Sequence, residues 1–301
     1  MMSTYNGEKY LRPQLDSILN QKTQHDIHLY IRDDASTDTT RDILNEYASK
    51  YPNITLEFGK NMGSNASFLS MLEKANGYDY YGYSDQDDIW LEDKVEIAIE
   101  SIKPLDNTKP CMYCSCSELV DDEYHHLGLT QINRRGMTFN NVIIQNLCPG
   151  HAMVFNNEAV KLFTSHYPID YTRIDVHDYW LAMHIIAFGE LYYDNIPHTY
   201  YRQHNDNVLG YSHGLYGWLV ERIHRVQHSM AKLITKQNLY FYELYKNDLT
   251  NDQVKELKGM LYSQRNILTR SIFLLKTKVY RQKKFETMLF YILYLFGGYK
   301  I

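Results

Sequence analysis

The stretch YYGYSDQDDIW at residues 80–90 places Asp85, Asp87 and Asp88 directly after an apolar, aromatic run and directly before Ile89 and Trp90. Like charges this close repel, so the stretch calls for a cation or a hydrogen-bonding ligand. Asp85-Gln86-Asp87 is a D-x-D. Hard divalent cations take oxygen ligands, and Mg2+ typically uses one or two carboxylates together with substrate phosphate oxygens. A lone D-x-D is common by chance; its position at the end of an apolar strand gives it weight.

Other polar clusters also follow apolar runs. Ser3–Gly7 (STYNG) is a small polar loop in which Tyr5 is available to stack on a ring, although an ordinary strand–helix turn has the same composition. In Arg32–Asp38 (RDDASTD), Ser36 or Thr37 reads as a helix N-cap and Asp38 suits the positive helix end. That leaves Asp33 and Asp34 as charges at a strand terminus, where a carboxylate can accept from a base imide or a ribose hydroxyl. Asp175–Trp180 (DVHDYW) has two readings: Asp175 as N-cap with Asp178 completing a capping box, or Asp178 as a general base at a helix start. The turn CPGHAM at 148–153 lets backbone approach a ligand at Gly150. His204, in YRQHNDN, is either structural or a ligand to metal or diphosphate.

The elements that must position these residues alternate over the first hundred positions. Strands are expected at MMST, HLYIRD, ITLEF and YDYYGYS, with helices over 9–21, 39–50, 67–74 and 91–102. Such alternation predicts a doubly wound, mostly parallel sheet with flanking helices, and ligands in such sheets sit at the carboxyl ends of the strands. Farther on, CMYCSCSELV, HAMVF and YRQH read as strands, VDDEYHHLG as a turn into a hairpin, and 176–188 as a helix. From Tyr211 the chain reads as wholly helical, with a boundary among Gly210, Gly214 and Gly217 and an aromatic-rich helix from Leu215 through Tyr245. The expected organisation is therefore a domain over 1–210 and a helical region over 211–301. The 301 residues, 44% of them hydrophobic, support a large core, and a net charge of −5 argues against nucleic-acid binding. Cys111, Cys114, Cys116 and Cys148 read as buried reduced thiols in a cytosolic protein, because the paired spacing of a zinc site is missing.

Taken in order, STYNGEKYL, RDDASTD, YSDQDDIW, CPGHAMVFN, HDYW and YRQHNDNVLG resemble the landmarks of the family 2 glycosyltransferases, inverting nucleotide-sugar enzymes of the GT-A fold. The wording is most similar to the bacterial rhamnosyltransferase-like members that build surface polysaccharide such as capsule. The resemblance implies that Thr4, Tyr5 and Asn6 line the nucleotide site, with Asp33, Asp34 and Asp85 contacting base and ribose. It implies a Mg2+ or Mn2+ ion at Asp87, with Asp85 and His204, and Asp178 as catalytic base. Trp90, Gly150 and His151 would border the sugar or acceptor. The expected partners are a nucleotide-diphosphate sugar (rhamnose, or else galactose, glucose or N-acetylglucosamine) and a lipid-linked saccharide acceptor. One departure stands out: only Met1 and Met2 precede Ser3, so the first strand is a stub or the start is truncated. An inactive sugar-nucleotide-binding scaffold and a nucleotidyltransferase are the rivals, the latter weakened because STYNG lacks a basic residue.

The end of the chain has a different character. Arg265, Arg270, Lys276, Lys278, Arg281, Lys283, Lys284 and Lys300 face Glu286 alone, and MLFYILYLFGG follows. That apolar run is about half the length of a spanning helix. A basic segment before a short apolar helix suits the face of an anionic bilayer, and equally suits packing on the domain or on a second copy. With no signal peptide apparent, the expected location is cytoplasmic, at the inner face of the membrane.

Overall fold

The computed structural model describes residues 1–130, 132–165, 169–204 and 230–300. The strands are β1 (Met2–Thr4), β2 (Leu29–Asp33), β3 (Ile54–Phe58), β4 (Tyr80–Gly82), β5 (Ile89–Trp90), β6 (Cys111–Ser115), β7 (Glu118–Val120), β8 (His126–Leu129), β9 (Met153–Asn156), β10 (Glu190–Asp194) and β11 (Thr199–Arg202). The helices are α1 (Leu11–Leu19), α2 (Thr40–Lys50), α3 (Ser64–Lys74), α4 (Lys94–Ile102), α5 (Phe139–Val142), α6 (Asn157–Thr164) and α7 (His177–Phe188). Beyond residue 229 follow α8 (Met230–Tyr245), α9 (Asn251–Tyr262), α10 (Ile267–Lys276) and α11 (Lys284–Leu295).

The alternation of strand and helix folds as the sequence predicts. β1, β2 and β3 pair in parallel. β1 also reaches the strand-4 side through a parallel Met2–Ser84 bridge, with Ser84 N donating to Met1 O at 2.9 Å. β9 runs antiparallel to β4 and β6, and β10 parallel to β6. The spatial order is thus β3-β2-β1-β4-β9-β6-β10, mostly parallel. The first strand is a three-residue stub, yet it is central, and both its neighbours find backbone partners. A smaller sheet, β5-β11-β7-β8, stands beside the main one.

Several local expectations change. The run CMYCSCSELV divides into β6 of the main sheet and β7 of the small one, and β7 forms the anticipated hairpin with β8. β5 and β10 were not foreseen: two residues are too few for a periodic signal, and β10 follows α7 without a loop. α2 begins at Thr40 with Thr39 as N-cap, so neither Ser36 nor Thr37 caps it. Instead Asp38 Oδ1 accepts from Thr40 N at 3.0 Å, and Ser36 Oγ accepts from Asn6 N at 2.9 Å. The N-cap of α7 is Val176, without a side-chain bond, so the capping-box reading of Asp175 and Asp178 fails. Asp175 instead faces α8, where its N–H donates to Gln237 Oε1.

α7 carries apolar residues on every side, which marks a helix to be buried all round. It is: Tyr179 through Ile185 are all buried. Trp180 stacks on Tyr240 of α8 at 5.4 Å and meets Phe241 edge-on at 5.7 Å. One hydrophobic cluster therefore joins Phe68, Tyr83, Met112 and Phe155 to Phe241, Met260, Phe290 and Tyr294. The C-terminal helices share the main core rather than building a separate one. A second cluster under β1–β3 takes Leu15, Leu44 and Trp90. The expected boundary near 210 and the first half of the predicted 215–245 helix lie outside the described residues. All four cysteines are buried free thiols.

Backbone strain appears where β2 turns toward α2. Ala35 has φ +69°, a region that costs a residue with a Cβ roughly 1–2 kcal/mol. Ala35→Gly is expected to raise stability by about 1 kcal/mol, read as a higher urea midpoint with unchanged m-value.

Candidate active site

The carboxyl ends of β1, β2 and β4 converge, and the loops that follow are sewn together by side chains. Gln86 lies across the first loop, accepting from Tyr5 N at 2.9 Å and donating to Tyr5 O at 3.0 Å. A Cβ on Gly7 would stand 2.3 Å from Gln86 Oε1, so a glycine is needed for this contact. Asn6, at φ +48°, donates through its N–H to Ser36 and accepts from Thr37 N at 2.8 Å. Tyr5 is left half exposed, its ring uncovered. Thr4 is buried and donates to Asp33 Oδ2 at 3.3 Å.

Asp33 and Asp34 are both buried and internally matched. Asp33 Oδ1 accepts from Arg41 Nε at 2.6 Å and from Ser36 N at 3.2 Å. Asp34 takes the buried Arg32 guanidinium at 2.5 Å, Met62 N at 2.9 Å and Gly63 N at 2.8 Å. Both oxygens of Asp34 are thus engaged in shaping the loop before α3. Gly59 leaves room for this pair, since a Cβ there would meet Arg32 Nη2 at 2.2 Å.

The three carboxylates of the D-x-D stretch diverge. Asp87 Oδ2 lies 3.0 Å from His204 Nε2, bringing together the residues expected to share a metal. Tyr10 stacks on the His204 ring at 4.8 Å. Asp85 does not join them. Asp85, Asp88 and His151 present donor atoms within 4.8 Å of one another. His151 Nδ1 is 3.5 Å from Asp85 and 3.4 Å from Asp88, while Nε2 pairs with Ser117 Oγ at 2.8 Å. His151 is buried between these acids. Arg202 fixes the loop from β11, with its N–H on Asp88 Oδ1 and its Nε on the Asp87 carbonyl at 3.0 Å.

Charge in this group is strongly conditioned by burial. Desolvation pushes the Asp88 carboxyl up to about 8. Burial also acts to raise Asp85, but the adjacent His151 imidazole overrides it and the net shift is downward. For His151, burial acts to lower the pKa, and Asp88 and Asp85 reverse that into a net rise. Desolvation brings Lys94 down to about 7; it donates to the His151 carbonyl and lies 3.8 Å over the Trp90 ring. Trp90 itself packs in the second core cluster. One buried oxygen, Asp88 Oδ2, has no hydrogen-bond partner. That oxygen lies 3.4 Å from His151 Nδ1, and a buried carboxylate beside a second carboxylate and an imidazole is donor chemistry that Mg2+ and Mn2+ accept. The residues present fit such an ion.

Asp178 opens α7 and faces the Gly150 turn. Its Oδ2 accepts from Gly150 N at 3.0 Å, and its Oδ1 from Asn146 Nδ2 at 3.0 Å and Tyr179 N at 2.5 Å. Desolvation raises its pKa, against opposing contributions from His177 and the two backbone donors, and Asp85 adds to the rise. Asp85 and Asp178 are thus close enough for their charges to interact. A Cβ on Gly150 would come within 3.1 Å of His177 Nε2 and 3.5 Å of Asp178 Cβ.

This arrangement, carboxylates at the carboxyl edge of a mostly parallel sheet with a further carboxylate on a buried helix, accords with a glycosyltransferase of the GT-A fold. The chain is a member of glycosyl transferase family 2, whose profile matches residues 1–163. Over 220 residues it is 31% identical to the dTDP-rhamnosyl transferase RfbG of Shigella flexneri, covering 69% of this chain and 73% of that protein. Among solved structures, S. aureus TarS superposes with a TM-score of 0.60 at 15% identity, over 87% of this chain but 42% of that one. Its 1–349 fragment in complex with UDP gives 0.59 at 17% identity, covering 99% and 78%. The mannosyltransferase PcManGT of Pyrobaculum calidifontis, in complex with GDP-Man and Mn2+, gives 0.55 at 17% identity, covering 99% of this chain and 84% of that one.

Sequence reasoning missed Gln86, Asn146, Ser117 and Arg202 at the site. Gln86 and Arg202 lie inside the SDQDDIW and YRQHNDN motifs, whereas Asn146 and Ser117 carry no such signal. Asn146 tests the geometry. A donor to the ionised carboxylate favours that form, so Asn146→Ala is expected to raise the Asp178 pKa further. The acid limb of the kcat profile would then move to higher pH, with the alkaline plateau kept.

Proposed function

We propose that the chain is a metal-dependent inverting glycosyltransferase that moves a hexose, rhamnose in the favoured reading, from a nucleoside diphosphate to a saccharide acceptor. Galactose, glucose and N-acetylglucosamine are the alternative sugars. The observation that carries this reading is Asp178: a carboxylate of raised pKa, held by three donors at the Gly150 turn and within electrostatic range of the D-x-D group.

In this reading the nucleotide lies along the loop of Thr4, Tyr5 and Asn6. The exposed Tyr5 ring supplies a stacking face, and Asp33 sits beside Arg41 under the base. Asp34 acts from behind by fixing residues 60–63. Asp85 contacts the ribose. Asp87 and His204 would hold Mg2+ or Mn2+, with Asp88 and His151 completing the acidic surroundings. Bound there, the ion supplies neutralising charge for the departing diphosphate. Asp178 takes the proton of the acceptor hydroxyl while that oxygen attacks the anomeric carbon. A new C–O bond forms as the bond to the diphosphate breaks, and its electron pair leaves with the diphosphate. A single displacement inverts the anomeric centre. Gly150, without a side chain, lets its backbone N–H approach Asp178 closely. The acceptor is read as a lipid-carried saccharide of a bacterial surface polysaccharide, such as a capsule, assembled on the cytoplasmic side of the membrane. The 1–210 transferase unit and a homo-oligomeric state are part of the same proposal.

A base acts only when deprotonated, so kcat is expected to fall with decreasing pH through a limb above the ordinary carboxylate range. Asp178→Asn should lower transfer by about 10²–10⁴ while leaving donor binding intact. A panel of dTDP-rhamnose, UDP-galactose, UDP-glucose and UDP-N-acetylglucosamine, each with and without Mn2+, tests the donor by thermal shift. The cognate donor at a hundredfold over its Kd should add about 2.7 kcal/mol of stability, and Asp87→Ala should remove the Mn2+-dependent part. Full transfer by both variants would refute the mechanism, and no shift with any donor would favour the scaffold.

A further inference from the structure

α10 and α11 pack against each other through Phe273 and Tyr294, whose rings lie 5.2 Å apart. Arg270 near the start of α10 faces Gly297 just past the end of α11, so the two helices run antiparallel. Their inward faces are accounted for: Phe273, Phe290 and Tyr294 are buried in the main core. Their outward faces are not polar. On α10, Leu268, Ile272 and Leu275 are 67%, 44% and 86% exposed. On α11 and its cap, Phe285, Met288, Ile292 and Phe296 are 50%, 52%, 45% and 75% exposed. The spacing is helical in both, so each helix presents a second apolar stripe opposite the one it buries. Adjacent stripes of this kind exceed the scattered apolar residues of an ordinary surface.

The charge around the stripes chooses what covers them. Arg265, Lys276, Lys278, Lys283, Lys284 and Lys300 are all exposed. The one acid in this part of the chain, Glu286, is buried and paired with Arg281. The exposed surface of residues 261–300 is therefore apolar and cationic, with no exposed carboxylate among the described residues. A second copy would bring the same cations face to face. An anionic lipid surface supplies both missing complements, acyl chains for the stripes and phosphate for the lysines. No helix among the described residues is long and apolar enough to cross a membrane, so such contact would lie in the interface plane.

We propose that the α10–α11 hairpin is a membrane-docking surface, with Leu268, Ile272, Leu275, Met288, Ile292 and Phe296 entering the headgroup layer of an anionic bilayer and Lys276, Lys278, Lys283 and Lys284 holding its phosphates. Docking there requires neither the donor nor the base assigned above, so its failure and theirs are separable. The test is flotation of the full chain with vesicles of phosphatidylcholine alone or of phosphatidylcholine with equimolar phosphatidylglycerol. The protein is expected to float only with the anionic vesicles and to be released by high salt, which screens surface charge. Lys276→Gln, Lys283→Gln and Lys284→Gln combined should weaken binding about a hundredfold, since each basic residue at such a surface contributes about fivefold. Leu268→Glu with Leu275→Glu and Ile292→Glu should abolish it, while sedimentation and circular dichroism confirm the fold, these side chains being exposed already. Absence of binding to anionic vesicles would overturn the proposal. So would a concentration-dependent dimer that the same leucine and isoleucine substitutions break, because the surface would then belong to a second copy.

Discussion

Carboxylate charge brought to the buried end of a sheet is the constraint around which this molecule is arranged. A carboxylate taken from water must be paired, bonded or protonated, because an unpaired buried charge is prohibitively costly. Each acid at the strand ends meets that demand differently. Asp34 has Arg32, Asp33 has Arg41, Asp87 has His204, and Asp85 has His151. Asp88 shares that imidazole, which lies 3.4 Å from its Oδ2, and accepts from Arg202 N, yet burial still lifts its pKa to about 8. The polar architecture of the cleft is largely the set of cations and donors that these acids recruit.

That recruitment also fixes the fold locally. Arg202 has to reach the D-x-D loop, so β11 crosses to β5 and β7 and a small sheet forms beside the main one. His151 has to stand between two acids, which sets the 3-10 turn at Gly150–Ala152 and with it the backbone N–H that Asp178 accepts. Behind Asp178, the Trp180 contacts with Tyr240 and Phe241 lock α7 to the C-terminal helices. Asp178 is thus held on a helix whose following residues, Tyr179 through Ile185, are all buried in the core.

The C-terminal helices serve two environments. One face completes the core that holds α7, and the opposite face is apolar and cationic.

Much of the scheme was legible without coordinates. Strand–helix alternation announced the sheet, and the positions of Asp33, Asp87 and Asp178 at element ends pointed to the cleft, because apolar periodicity and chemical type are properties of neighbours in the chain. Two-residue β5, the division of CMYCSCSELV between sheets and the true cap of α7 were not legible, because pairing partners and not propensity decide them. The site divides in the same way. The sequence by itself determined which acids and imidazoles are present and that they fall at strand ends. Only the tertiary structure decided that Asp87 meets His204 across 117 positions, that Gln86 clamps Tyr5 across 81, and that Asn146 reaches Asp178. Burial decided the rest: Trp90 packs in the second core cluster, Asp34 fixes the loop before α3, and Asp88 is enclosed beside His151. Hydrogen bonding and desolvation act through space, and local sequence does not encode which distant group will supply them.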